Sequence, residues 1–540
     1  MAKESFLREA LILALAGFLS RIIGAIYRIP LTAVIGEQGM GLYQMAYPLY
    51  VTILAVSTSG INIAISKLVS EKITLRDYRG ANRTLQAALA LLTGLGLTFS
   101  LIMLLGAHTI AEWIGDPLAY YSIVALSPAV LFVSVSAAFR GYFQGHQRMS
   151  PTAISQIVEQ TVRVAVAFPL AYALMPVNLA YAAGGATFGA AAGAVASLTV
   201  LLTIYFRSRP RLAHLLERDA GLPQESSSDL VKSILRLSIP VSLAAVILPI
   251  MNAVDLMVVP ARLGALGYGV ETVRALYGRL TGLALPIVTM PTVITYALSL
   301  SLVPAISKSH ALRSIPRVRE QTATGVRMTL LLTLPAVVGL YILGTPIALL
   351  LYRDTPETGP LIAVLSPALL FLALQQTTSG TLQGLGRTDL PVRNMAIGAL
   401  GKLVASYILT GIPSLGIVGA AYSSVIGFLI AASLNIYSVN CLVGFSFDFR
   451  SMMLKPAIAV SAMGIAVQGV FLATHRWLSG LGGSTPRDLA TAVAIGLGAI
   501  IYFTILVFIR AFKEQDFEVI PRIGPRLGAK LRALGLVDKE

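Results

Sequence analysis

Runs of about 20 apolar residues, the length that carries an α-helix across the hydrocarbon core of a bilayer, recur from one end of this chain to the other. Fourteen windows fit: 9–35, 43–66, 85–111, 118–139, 152–175, 179–206, 234–260, 281–306, 327–352, 360–382, 394–412, 416–442, 455–474 and 488–511. With 56 % apolar and 12 % charged residues, the composition is not that of a soluble domain. Long windows also argue against a β-barrel, whose strands alternate over roughly ten residues. The 47 glycines and 27 prolines suit close helix approach and bent spanning helices. The expected fold class is an all-α polytopic membrane protein of about 14 transmembrane helices. Lys3 and Arg8 before an apolar stretch mimic a signal peptide, but the stretch carries Arg21 and Arg28 and shows no small-residue cleavage site. It is expected to stay as the first span.

Charge in the connections orients the spans. With the N-terminus inside, the even-numbered connections should be cytoplasmic and basic. They carry Lys67, Lys72, Arg76, Arg79 and Arg83, then Arg140 and Arg148, the basic residues between Arg207 and Arg236, those between Lys308 and Arg327, Arg387 and Arg393, and Arg450 and Lys455. The alternate connections are poorer, apart from the stretch Arg262 to Arg279. Both termini are therefore expected in the cytoplasm. This bias and a basic tail, Lys513 to Lys539, account for the net charge of +16. Cations spread over many connections do not make a nucleic-acid surface; the tail is either a solvated end or a contact for anionic lipid head groups. A single cysteine, Cys441, excludes an intrachain disulfide.

An internal duplication divides the chain. Leu126-Ser-Pro-Ala-Val-Leu-Phe132 recurs as Leu365-Ser-Pro-Ala-Leu-Leu-Phe371, an offset of 239 that also relates Gly141 to Gly380, Gln144-Gly145 to Gln383-Gly384 and Arg148 to Arg387. Ala64-Ile-Ser-Lys67 recurs as Ala305-Ile-Ser-Lys308, an offset of 241. Even spans match even spans, so the two six-helix repeats are parallel in topology. The expected segments are an N-terminal six-helix lobe at 1–206, a cytoplasmic linker at 207–233 with a short amphipathic helix, a C-terminal lobe at 234–443, two further spans at 444–512, and the tail 513–540.

Six charges interrupt the apolar windows: Arg21, Arg28, Glu159, Arg163, Asp255 and Lys402. A charge at membrane depth costs a few kcal/mol even on lenient insertion scales, so it faces a partner or a water-filled cavity. Four of the six are cationic, which points to an anionic cargo. Arg21 and Arg28 share one face of the first helix, about 10 Å apart. Asp255 and Arg262 repeat that spacing in the second half with one sign changed. Arg21 is expected in a cavity or an ion pair; Arg28 and Arg262, near helix ends, either join such a site or snorkel to the interface. Glu159 and Arg163 have i, i+4 spacing and either neutralise one another or face the cavity. The repeat partner of Arg163 falls at or next to Lys402, and Asp255 and Lys402 are expected to pair, permanently or as a switch. Signals of enzymes are missing. The five histidines are isolated, and Gly401-Lys402 lacks the rest of a phosphate loop, with Ala396 and Leu403 in the other positions. No cofactor, metal or direct ATP drive is expected; coupling to membrane potential or a cation stays open.

Two stretches, Arg140-Gly-Tyr-Phe-Gln-Gly-His-Gln-Arg-Met-Ser-Pro-Thr-Ala-Ile-Ser-Gln-Ile-Val-Glu-Gln-Thr-Val-Arg163 and Gly60-Ile-Asn-Ile-Ala-Ile-Ser-Lys67, resemble the SpoVB/MurJ-like polysaccharide-biosynthesis transporters. These belong to the multidrug/oligosaccharidyl-lipid/polysaccharide exporter superfamily, and the likeness covers nearly the whole chain. It implies a flippase for polyprenyl-diphosphate-linked saccharides, lipid II above all, in a bacterial cytoplasmic membrane. It also implies two lobes around a central cavity and alternating access, with an anionic lipid-linked saccharide as cargo; membrane lipids are the other expected partners, and a monomer is expected. The family's cationic first-helix cavity falls on Arg21 and Arg28, joined as candidates by Asn62, Glu159 and Arg163. A second-helix arginine of better-studied relatives is replaced here by Ser57, Thr58, Ser59 and Asn62. The sodium site of some relatives falls on Asp255 and Asn394, where Lys402 would repel a cation; Arg262 completes the second-half set. Rival readings are a flippase for another saccharide lipid, including a sporulation-specific one, and a cation-coupled multidrug exporter. The exporter predicts acidic and aromatic groups in the first-half cavity. A polytopic scaffold or glycosyltransferase is a third reading, but the enzyme would need a long external loop with carboxylates, which is missing.

Overall fold

The structure, a computed structural model, describes residues 2–208, 225–353, 355–445, 450–478, 485–509 and 511. The expected amphipathic helix of the linker and the basic run Lys513 to Lys539 lie outside the described residues. All regular elements among the described residues are helical. Eleven helices are long and apolar enough to cross a membrane, twelve when Val270–Thr289 and Thr292–Ala311, bent by 53°, form one span. The chain is a helical, multi-pass membrane protein. The remaining two windows, 9–35 and 394–412, are also helical: the first holds the apolar stretch Leu15–Ile26, and the second carries Asn394 and Lys402.

Helices α1 (Ala2–Ile26) and α2 (Arg28–Leu54) run on through Tyr27, whose N–H donates to the Ile23 carbonyl at 3.1 Å. The turn between the first two spans is Gly36, with φ +63° and ψ −174°, a conformation essentially restricted to glycine. Without that turn, Arg28–Thr74 would be a 47-residue rod of about 70 Å, more than twice the thickness of the hydrocarbon core. A π-helical turn, Ala55–Ser59, joins α2 to α3 (Gly60–Thr74). Then follow α4 (Tyr78–Leu105), capped by the Asp77 carboxylate on the Gly80 N–H at 2.6 Å, the short α5 (Ala107–Ile114), α6 (Ala119–Gly145), α7 (Ser150–Leu174) and α8 (Leu179–Arg207). The Glu9 carboxylate of α1 accepts the Met149 and Ser150 N–H groups at 2.7 and 2.8 Å. It thereby caps α7, where free N–H groups and the helix dipole favour an anion.

Packing divides the chain into two compact units, Met1–Gly278 and Arg279–Glu540. The first unit also holds α9 (Ser227–Ala265) and α10 (Val270–Tyr277). By the repeat, α9 opens the second half, so the packing boundary comes later than the linker at which the sequence changes half. Close approach explains this grouping: the Gly60 N–H donates to Ser242 Oγ at 3.2 Å, and a Cβ at position 60 would lie 2.2 Å from the Ser238 carbonyl oxygen. The core of this unit gathers Ile65, Val69, Leu85, Leu92, Phe139, Leu201 and Ile234.

The second unit contains α11 (Leu285–Thr289), α12 (Thr292–Ala311), α13 (Ile315–Tyr352), α14 (Thr358–Gly384), α15 (Asp389–Thr410), α16 (Ile417–Val443), α17 (Lys455–Trp477) and α18 (Thr485–Phe508). The last two helices pack on α13, where the buried Tyr502 hydroxyl donates to the Leu331 carbonyl at 2.9 Å. Helices α6 and α14 are both 27 residues long and start and end 239 positions apart, as the repeat predicts. The match at offset 241 does not hold in the packing. Gly141 sits against Asn62 and Gly145 against Val69, whereas Gly380 sits against Ser299 and Gly384 against Ile306. These contacts relate α3 to α12 by an offset of 237, one helical turn away from the Ala-Ile-Ser-Lys match. A shift of four residues restores nearly the same helix face, so chance identity on that face misled the alignment.

Candidate functional site

Three helices of the first unit meet around one carboxylate. Helix α8 approaches α7 through glycines: a Cβ at Gly193 would lie 2.4 Å from the Glu159 carbonyl oxygen, and one at Gly189 would lie 2.6 Å from that of Arg163. Small residues permit such contact between membrane helices, and here they bring Ser197 to the face of α7. Arg140, from α6, donates through Nη2 to Glu159 Oε2 at 2.7 Å and to Ser197 Oγ at 2.9 Å, and through Nε to Ser155 Oγ at 3.1 Å. The other oxygen of Glu159 accepts from Arg163 Nη2 at 3.4 Å. Arg163 Nη1 reaches the Tyr47 hydroxyl at 3.5 Å, while its Nε is buried without a hydrogen-bond partner. The side chains of Arg140, Glu159 and Arg163 are 13 %, 16 % and 10 % exposed. Two guanidiniums on one carboxylate leave the cluster with a net charge of +1.

The expected pair of Glu159 with Arg163 therefore exists, but the shorter bond of Glu159 goes to Arg140. Sequence reading counts Arg140 among the cytoplasmic connections; the structure places it inside α6. Charge density misled there, because Arg140 stands near the polar end of an apolar helix. Also missed are Tyr43, Tyr47 and Tyr50. Their i, i+4, i+7 spacing puts them on one face of α2, with ring centroids 5.8 and 5.9 Å apart in sequence order.

The second unit holds a related junction, in which neutral groups replace the arginine and the carboxylate of positions 140 and 159 and a buried lysine stands in place of Arg163. Adding 239 to Arg140, Ser155, Glu159 and Arg163 gives Ser379, Asn394, Gly398 and Lys402. Helix α16 starts 238 positions after α8, which takes Ser197 to Asn435. Asn394 Nδ2 donates to Asn435 Oδ1 at 2.9 Å and to Ser438 Oγ at 3.0 Å, and Asn435 Nδ2 donates to Ser379 Oγ at 2.9 Å. Amides and hydroxyls thus close in the second unit what an arginine, a carboxylate and serines close in the first.

The polysaccharide biosynthesis protein model matches residues 6–310, more than half of the chain. The chain belongs to this family. A second model, MatE, matches residues 280–408. The chain is 30 % identical to stage V sporulation protein B of Bacillus subtilis (strain 168), across 97 % of this chain and 99 % of that protein. It is 26 % identical to the lipid II flippase MurJ of the same organism, across 92 % and 94 %. Among solved structures, an inward closed conformation of lipid II flippase MurJ superposes with a TM-score of 0.67 at 17 % identity, covering 92 % of this chain and 98 % of that one. An inward-facing multidrug resistance MATE family transporter gives 0.64 at 18 %, covering 78 % and 94 %. These likenesses place the fold among the transporters of the multidrug/oligosaccharidyl-lipid/polysaccharide exporter superfamily.

The other candidate residues of this family member are spread over both units. Position 21 lies in α1, and its side chain is outside the described residues. Arg28 opens α2 half-buried, with its Nε lacking a hydrogen-bond partner; the neighbouring Tyr27 hydroxyl bonds that of Tyr43. Asn62 packs on α6, where a Cβ at Gly141 would lie 2.9 Å from its Oδ1. Ser57 and Thr58, from the polar run of the second span, fall within the π-helical turn and donate to the Ile53 and Leu54 carbonyls. Asp255, in α9 of the first unit, and Lys402, in α15 of the second, are 1 % and 2 % exposed. Arg262 stands in the last turn of α9, half-buried.

Packing also accounts for the basic stretch on the otherwise poorer side. Arg274 of α10 donates twice to Asp116, from Nε at 2.5 Å and from Nη2 at 2.8 Å, both residues being buried. Arg279 lies 3.8 Å from Glu357 within the second unit. Two of the cations that break the charge rule are thus matched by acids.

Proposed function

We propose that this protein is a flippase that carries a polyprenyl-diphosphate-linked saccharide, lipid II in the first instance, across a bacterial cytoplasmic membrane by alternating access. The observation that carries the reading is the surplus of positive charge buried in the first unit, where two arginines share one carboxylate, and where Arg28, with an unpartnered Nε, follows Tyr27, whose hydroxyl bonds Tyr43 on the tyrosine face that reaches Arg163. A diphosphate crossing hydrocarbon loses its water, and guanidinium forks replace it with charged, bidentate hydrogen bonds. Arg21, Arg28 and Arg163 are the cargo-facing cations in this reading, and the polyprenyl tail stays in lipid. The relatives named as a lipid II flippase and a sporulation protein support this substrate class. The test is complementation of a bacterium depleted of its own lipid II flippases. The outer-surface accessibility of lipid II should return with the wild-type chain and fail with Arg21→Ala, while Arg21→Lys restores it in part because an ammonium lacks the planar fork.

A multidrug exporter is favoured by one observation, the tyrosine face of α2, which meets the Glu159–Arg163 pair through Tyr47. Restored drug resistance in exporter-deficient cells, without lipid II translocation, would replace the first reading.

A further inference from the structure

The two junctions are a comparison within one molecule. In the second unit the places of Arg140 and Glu159 are taken by Ser379 and Gly398, and Asn394, Asn435 and Ser379 are joined by bonds of 2.9 Å, while the cation at the place of Arg163 is kept as Lys402. Packing of this arrangement therefore does not call for charge at positions 140 and 159. The first unit nevertheless buries two guanidiniums and a carboxylate there, an arrangement whose desolvation weighs against stability. It leaves one positive charge uncompensated within the cluster, and it leaves the buried Nε of Arg163 without a partner.

Resting on the flippase reading, we propose that Glu159 is the resident counter-ion of a diphosphate site. Its carboxylate occupies, between Arg140 and Arg163, the place that phosphate oxygens of the cargo take. Carboxylate and phosphate both fit the guanidinium fork, so one can replace the other without moving the arginines. Ser155 and Ser197 hold Arg140 in position through the exchange, and Tyr47 stays within reach of Arg163. When cargo leaves, Glu159 returns. The empty state then never exposes two bare guanidiniums to an apolar setting, and release is easier by the bonds that Glu159 regains.

The full-length protein in detergent, titrated calorimetrically with inorganic pyrophosphate, tests this. Glu159→Gln should bind pyrophosphate about tenfold more tightly than wild type, the worth of one charge-assisted hydrogen bond, and should translocate lipid-linked saccharide more slowly in proteoliposomes. Glu159→Gly, which copies Gly398 of the second junction, should show the same two effects and guards against misfolding of the glutamine variant. The combined variant Arg140→Ser, Ser155→Asn, Glu159→Gly, Arg163→Lys, Ser197→Asn reproduces the second junction, Lys402 included; it should keep the thermal stability of the wild type and lose pyrophosphate binding. Unchanged or weaker binding in both Glu159 variants overturns the proposal, as does wild-type affinity in the combined variant or no binding by any form. If phosphatidylglycerol competes with pyrophosphate as well as polyprenyl diphosphate does, the ligand is a lipid head group and the cargo assignment falls. If the rank order holds but no lipid-linked saccharide moves, the counter-ion survives and the flippase reading fails.

Discussion

Arg274 and Asp116 show how a charge is accommodated in this molecule. Both are buried, and the two bonds between them run in the parallel fork that suits arginine and carboxylate. Asp116→Asn or Arg274→Gln alone leaves the remaining charge uncompensated and is expected to cost about 3–5 kcal/mol. Arg274→Lys should recover only part, since a lysine makes no fork. Asp116→Leu with Arg274→Met replaces the pair by apolar volume and should be more stable than either single neutralisation. Thermal unfolding of the purified protein in detergent measures all four, and a double variant as weak as the sum of the singles would show that the two residues act independently. No local pattern announces this pair, because 158 positions separate its members.

Single helices carry a second level of information. The turn at Gly36 is legible as the gap between two apolar windows, but its sharpness is not. A lone glycine with φ +63° and ψ −174° kinks the helix, with no separate connecting loop. Alanine in that conformation is strained by about 1–3 kcal/mol. Gly36→Ala is therefore expected to lower the unfolding temperature and leave the helix content by circular dichroism unchanged; an unaltered unfolding temperature would mean that the turn relaxes. The π-helical turn at Ala55–Ser59 was equally hidden, although such turns often mark functional places and its polar residues were visible as a run.

Across the whole molecule, the topology expected from the fourteen windows and the parity of basic connections predicts Cys441, at the end of α16, on the cytoplasmic side. It is the single cysteine of the chain and is exposed, so no background labelling obscures the measurement. A membrane-impermeant maleimide should label it in inside-out vesicles and not in intact cells. Labelling from the outside would overturn the expected topology.

Hydropathy is additive along a window, and this is why the apolar spans and the six charges that interrupt them are legible in the sequence, as the duplication at offset 239 is from its repeated motifs. Partnership between charges is not additive. It depends on how each helix is rotated and on its register, and one turn of error exchanges one neighbour for another, as the offsets of 241 and 237 show for α3 and α12. Glu159 could be matched to Arg163 from their spacing on one helix, yet its stronger bond, to Arg140, required α6 to lie beside α7. The neutral junction of Ser379, Asn394 and Asn435 was likewise invisible, since serine and asparagine in an apolar run raise no alarm until three helices bring them together. Sequence alone determined that this chain spans a membrane many times and carries an internal duplication at offset 239. The tertiary structure decided which cations share a carboxylate, because burial makes a partner obligatory and only packing supplies one.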